Sequence, residues 1–205
     1  MVTDVIDFKT ELMINDFLNL FYDKIPTDKD IYPYLRSRLT TNIYSDYYLR
    51  DAYNRKYGFS LISQETIDVI KKYDPILEIA AGTGYISKML FDNRVDVIAT
   101  ELGTKKYEFE VGSLFKIEEL EARDAIEKYL DRNILLSWPC YHGLWSELFL
   151  PLIKNQYLIY IGEGDGGCCA TDEFFSILNK EFRIIEEFSI PKFFGIHDYL
   201  TVYKR

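Results

Sequence analysis

Apolar residues recur at helical spacing over residues 5 to 23, where Val5, Phe8, Leu12, Met13, Phe17, Leu20 and Phe21 predict an amphipathic helix that Pro26 ends. From Ile76 the pattern changes. Ile76, Leu77 and Ile79 form a short apolar run, Gly82 and Gly84 follow at once, and Ser87-Lys88-Met89-Leu90 opens a helical pattern, so the segment reads as buried strand, tight turn and helix. Val95 to Glu101 is a second strand, Lys106 to Val111 a third with Gly112-Ser113 as its turn, Ile134 to Trp138 a fourth closed by Pro139, and Gln156 to Ile161 a fifth. Helices fall between them. Ser63 caps one through Ile67, Val69 and Ile70, Glu118 to Tyr129 is a second with a charged face, Trp145 to Ile153 a third, and Thr171 caps Phe174 to Leu178. Arg183 to Ile190 and Gly195 to Tyr203 are two closing strands joined by a turn that starts at Pro191. Strands alternating with helices, then two strands in succession, predict an α/β sandwich around a mainly parallel sheet.

Composition narrows this picture. A chain of 205 residues reads as one structural unit with a sizeable core, divided into a helical N-terminal extension over 1–60 and a main α/β domain over 61–205. A hydrophobic content of 48% excludes a disordered chain. The net charge of −9 argues against a protein that wraps nucleic acid by neutralising phosphates. Arg36, Arg38, Arg50, Arg55 and Lys56 lie close in sequence, and most read as solvated helix-face charges. No apolar run reaches membrane-spanning length, and Asp4, Asp7, Lys9 and Glu11 interrupt any signal-peptide pattern. Cys140, Cys168 and Cys169 are odd in number, with the last two adjacent, which points to free thiols and a cytoplasmic protein. Tyrosines crowd Ile31 to Phe59. They suit either an aromatic lid over a site or ordinary half-buried packing.

The chemistry begins at the glycine turn, where free backbone N–H groups and a helix N-terminus would face a ligand. Glu78 is an acceptor in the same place, and Glu101 ends the second strand, where a Rossmann-like domain holds ribose hydroxyls. Glu78, Ala80, Gly82 and Gly84 spell E-x-A-x-G-x-G. This resembles motif I of the class I S-adenosylmethionine (SAM)-dependent methyltransferases, (D/E)-x-G-x-G-x-G, with Ala80 replacing the first glycine and adding a methyl group. The order of elements from about residue 60 to 205 is similar to that family, as it is to a wider methyltransferase-like set. The resemblance implies a Rossmann-like seven-stranded sheet, mainly parallel with an antiparallel C-terminal hairpin, and SAM as cofactor. It implies Gly82, Gly84 and Tyr85 around the methionine part of SAM, Glu78 near its amino group and Glu101 on the ribose.

The fourth-strand loop Ser137-Trp138-Pro139-Cys140-Tyr141 resembles the (D/N/S)-P-P-(Y/F/W) motif of methyltransferases acting on nitrogen. By that resemblance the segment Ser137 to Tyr141 would line the acceptor site with Tyr141 stacked on the acceptor, and Ser137 and Trp138 are also expected beside the cofactor. Trp138 and Cys140 depart from the motif, and Trp138 and Tyr141 also read as pocket wall or core. His142 and His197 are the two histidines and the candidate bases, each equally readable as a hydrogen-bonded structural residue. Glu163 and Asp165, in the glycine-rich loop after the fifth strand, could meet a cationic acceptor or form a solvated turn. No metal-ligand spacing is present among the cysteines and histidines, so no metal is expected. Two rivals stay open. An NAD(P)-dependent oxidoreductase has Ser87 against it, where its fingerprint needs a third glycine. A non-catalytic SAM-binding or partner-binding module is kept open by Trp138. The acidic charge favours a small-molecule or protein acceptor over nucleic acid, with no membrane partner; oligomeric state leaves no mark in the sequence.

Overall fold

The structure is a computed structural model and describes residues 8–22, 24–36, 43–103, 112–141 and 145–205. Seven strands form one sheet in the order β3-β2-β1-β4-β5-β7-β6. They are β1 (Ile76–Ile79), β2 (Val97–Glu101), β3 (Ile117–Glu119), β4 (Asn133–Ser137), β5 (Tyr157–Gly162), β6 (Arg183–Ser189) and β7 (Tyr199–Lys204). The first five run parallel, and β7 inserts antiparallel between β5 and β6. This is a Rossmann-like sheet, mainly parallel with an antiparallel C-terminal hairpin, as expected.

The strands alternate their side chains between two cores. Leu135, Ile159 and Ile161 face one core with Leu200 and Val202, while Leu77, Ile134, Leu136 and Leu158 face the other. The first core is covered by α1 (Phe8–Asn19), α2 (Asp28–Arg36), α3 (Ile43–Lys56), α4 (Gln64–Ile70) and α5 (Tyr85–Asp92), through residues such as Phe17, Ile31, Tyr53, Ile67 and Leu90. The second is covered by α6 (Ala122–Lys128), α7 (Trp145–Phe149) and α8 (Asp172–Glu181), through Ile126, Phe149, Phe174 and Leu178. Helices on both faces explain why the central strands read as nearly continuous apolar runs. Phe17 and Tyr53 are fully buried, with ring centres 6.1 Å apart, so the N-terminal helices share their core with the sheet. Among the described residues no helix is long and apolar enough to cross a membrane.

The predicted caps form. Ser63 accepts a hydrogen bond from the Thr66 N–H at 3.3 Å, and Thr171 accepts one from Phe174 at 3.2 Å. The predicted strand Lys106 to Val111 lies outside the described residues. The predicted helix start at Glu118 differs from the structure, where β3, Ile117–Glu119, overlaps it. A three-residue edge strand has too little alternation to register in sequence; its backbone pairing with β2 defines it. The helix proper starts at Ala122, and Glu118 is tied instead to Lys128 at 2.5 Å and the Tyr129 hydroxyl at 2.7 Å.

Candidate active site

The strand order reverses direction between β1 and β4, and a cavity of about 480 Å³ opens at their carboxyl ends. Open α/β sheets bind ligands at such a switch point, because the two crossovers diverge there and leave a crevice. The loop between β1 and α5 forms its floor. Ala81 N–H continues the ladder to the Thr100 carbonyl at 3.0 Å, and the Thr83 hydroxyl donates to the Tyr57 carbonyl at 2.8 Å. The glycine loop is therefore anchored to β2 on one side and to the Tyr57–Ser60 segment on the other.

Gly84 precedes α5 with φ 73°, and a Cβ there would stand 2.9 Å from the Cβ of Phe115. Ala80 is left-handed too, at φ 53°. The sequence reading of Ala80 as one added methyl group is corrected here. Its side chain sits on a backbone conformation that costs an L-residue about 1 kcal/mol or more.

Two carboxylates occupy the positive end of this turn. Glu78, only 2% exposed, accepts hydrogen bonds on Oε2 from the Ser87 N–H at 3.0 Å and the Ser87 hydroxyl at 2.5 Å. Burial pushes its pKa up to about 7; the Ser87 bonds pull it back in part and the nearby Glu101 adds repulsion. Glu101, also buried, accepts the Gly82 N–H on Oε2 at 3.0 Å. The loop amide and the first turn of α5 are thus already paired with carboxyl groups of the chain itself. Glu121 is the third carboxylate of the cavity, beside Leu102, Leu120 and Ala122, and no Lys, Arg or His is among the described lining residues.

The opposite wall joins Tyr57–Ser60 to the fourth-strand loop. Ser137 and Trp138 line it together with Pro139, Cys140 and Cys168. Trp138 holds φ 48°, stacks on Phe59 with ring centres 5.4 Å apart, and carries the Arg50 guanidinium 5.4 Å from its ring centre. Its indole N–H donates to Asp198 Oδ2 at 2.9 Å.

The sequence candidates separate here. Glu78, Ala80, Gly82, Tyr85, Glu101, Ser137 and Trp138 line one cavity, and Gly84 shapes its floor. Tyr141 is 48% exposed and outside the described lining, and His142 lies outside the described residues. Glu163 accepts the Cys168 N–H on Oε2 at 2.8 Å and the His197 N–H on Oε1 at 2.9 Å. Burial opposes its charge, but these bonds hold its carboxyl below the usual range. It clamps the glycine-rich loop to the segment before β7. Asp165 and the His197 side chain are exposed and away from the cavity.

Two contributors went unrecognised in the sequence. In sequence Ser60 merely ends the run Tyr57-Gly58-Phe59-Ser60, and Asp198 is the acid that follows His197. Asp198 instead faces inward, 1% exposed, and meets Trp138 and Ser60.

No protein-family model matches this chain, and no curated protein matches it. Among solved structures, a crystal structure of a point mutant of MtNAS is similar at 11% identity and a TM-score of 0.35, over 95% of this chain and 70% of that one.

Proposed function

We propose that the chain is a SAM-dependent methyltransferase. The observation that carries this reading is the pairing of the turn's donors with Glu78 and Glu101 in a cavity whose described lining has no basic residue. A pyrophosphate uses the loop amides and helix N-terminus of a Rossmann domain as its binding site. Here the carboxyl groups of Glu78 and Glu101 already take those donors, so a pyrophosphate would find them occupied. A ligand with an ammonium, a sulfonium, a ribose diol and a neutral base suits the same wall. This argues for SAM over NAD(P).

Glu101 would accept from the ribose hydroxyls. Glu78 has Oε2 committed to Ser87, so a ligand ammonium would meet its other oxygen. Gly82 and the turn would lie along the methionine part, and the apolar Leu102 and Leu120 would flank the adenine. Bound there, SAM would supply an electrophilic methyl group on sulfur. The protein's task is to align an acceptor with it and take up a proton. Ser137, Trp138 and Phe59 form the wall from which an acceptor would approach.

Calorimetric titration with SAM and with NAD(H) tests this. Micromolar SAM binding, weakened at least about tenfold in Glu101→Ala and absent for NAD(H), is the expected result, since a hydrogen bond to a charged group contributes about 1.5–3 kcal/mol. NAD(H) binding, or SAM affinity indifferent to Glu101→Ala, would overturn the assignment.

A further inference from the structure

Asp198 is a buried carboxylate with work left over. Its Oδ2 accepts the Trp138 indole N–H at 2.9 Å and, at a longer 3.4 Å, the Ser60 hydroxyl. Its Oδ1 is buried with no hydrogen-bond partner among the described residues. A buried oxygen without a protein partner costs free energy, and buried groups of this kind cluster at functional sites. Ser60 Oγ lies 3.4 Å from Ser137 Oγ, and both serines line the cavity. A chain of hydroxyls therefore connects the cavity wall to Asp198.

We propose that Asp198 is the proton-accepting positioning residue of the acceptor site, working through Ser60 and Ser137, and that the acceptor is an amine. This rests on the SAM-dependent reading above. A bound ammonium first gives one proton to a serine hydroxyl, which passes its own proton to the Asp198 carboxylate and so frees the nitrogen lone pair. That lone pair forms the N–CH₃ bond as the S–CH₃ bond breaks, and the broken bond's electron pair stays on sulfur as a neutral thioether. The product leaves as the methylated ammonium, so charge and atoms balance.

An amine fits better than an acid or a neutral alcohol. Carboxylates surround the cavity and described basic residues do not line it, so an ammonium is drawn in and a carboxylate repelled. The outer face of Phe59, 43% exposed at the mouth, offers a cation a ring to rest on. The groups that act on Asp198 come from several elements. Arg50 on α3 lowers its pKa and Glu163 raises it, Cys169 and Tyr160 stand near it, and Lys192 bonds its backbone carbonyl at 3.2 Å. Burial outweighs the bonds from Trp138 and Ser60, and the carboxyl titrates at about 6.

The test uses the full chain with Trp145→Phe, so that Trp138 is the sole indole. Its fluorescence should step with a midpoint near pH 6, and the step should vanish in Asp198→Asn, whose amide oxygen still accepts the indole N–H. With S-adenosylhomocysteine bound, phenethylamine should quench Trp138 at concentrations about tenfold lower than phenethyl alcohol or phenylacetate do, a preference lost in Asp198→Asn. Ser60→Ala should keep the pH step and SAM affinity while amine methylation falls at least tenfold; it serves as well if Asp198→Asn does not fold. Equal binding of the three probes, binding of none, or a pH step that survives Asp198→Asn would overturn the proposal. Loss of SAM binding in the unaltered protein would instead sink the cofactor reading itself.

Discussion

Glu78 should make the protein's stability fall as pH rises through neutrality. Its folded-state pKa, near 7 against an ordinary 4.5, means that the native protein holds a proton there which the unfolded chain releases. A raised carboxyl pKa contributes stability that is fully present below 4.5 and is lost as pH climbs through 7. The span between those two values corresponds to about 3 kcal/mol. Glu78→Gln removes the titration while keeping a side-chain oxygen to accept both Ser87 bonds. Urea unfolding of both proteins, followed by far-UV circular dichroism at intervals from pH 4.5 to 8.5, should show the variant gaining on the wild type by about that amount across the window. Asp198 also titrates in this range, but it does so in both proteins and cancels in the comparison. Parallel curves would refute the reasoning, because they would mean that Glu78 is not desolvated as its burial implies. A consequence for ligand binding follows. A cation beside Glu78 would restore its charge, so SAM binding at pH 7 should release a proton and its heat should vary with the ionisation enthalpy of the buffer.

Two backbone predictions concern the same turn. Ala80→Gly should stabilise the protein by up to about 1 kcal/mol, seen as a higher urea midpoint at unchanged slope, because φ 53° costs alanine and not glycine. An unchanged or lower midpoint would count against that account. Gly84→Ala should lower stability by about 2 kcal/mol or more and weaken cofactor binding, since its Cβ would meet Phe115 at 2.9 Å on a backbone at φ 73°. A variant as stable as the wild type would show that the β3 lead-in yields freely.

Much of the fold was legible in the chain because the signals were local. Ile76–Ile79, Ile134–Leu136 and Leu158–Ile161 are apolar enough to be strands with both faces covered, and Ser63 and Thr171 announce their helices by capping chemistry. The pairing of a glycine turn with acids at the ends of the first two strands also survives as a sequence pattern, because the turn and both acids lie within one βαβ unit. Glu78 and Glu101 could be named on that basis.

Long-range placement decided the rest. β3 owes its existence to hydrogen bonds with β2 and not to its own three residues. That Ala80 is left-handed follows from the path between β1 and α5, which composition does not reveal. Glu163 looked like a free acid in a glycine loop, and it became a clamp only when the segment before β7 brought the His197 N–H against it. Asp198 shows the difference most clearly. Adjacent residues on an extended chain point to opposite sides, so the backbone that exposes His197 buries Asp198 against Trp138 and Ser60, which lie 60 and 138 residues away in sequence. The sequence by itself determined most of the strands and where the glycine turn lies. Only the tertiary structure decided which carboxylates are buried, what each one faces and therefore which of them can exchange a proton, because desolvation is a property of the packed fold and not of the residue.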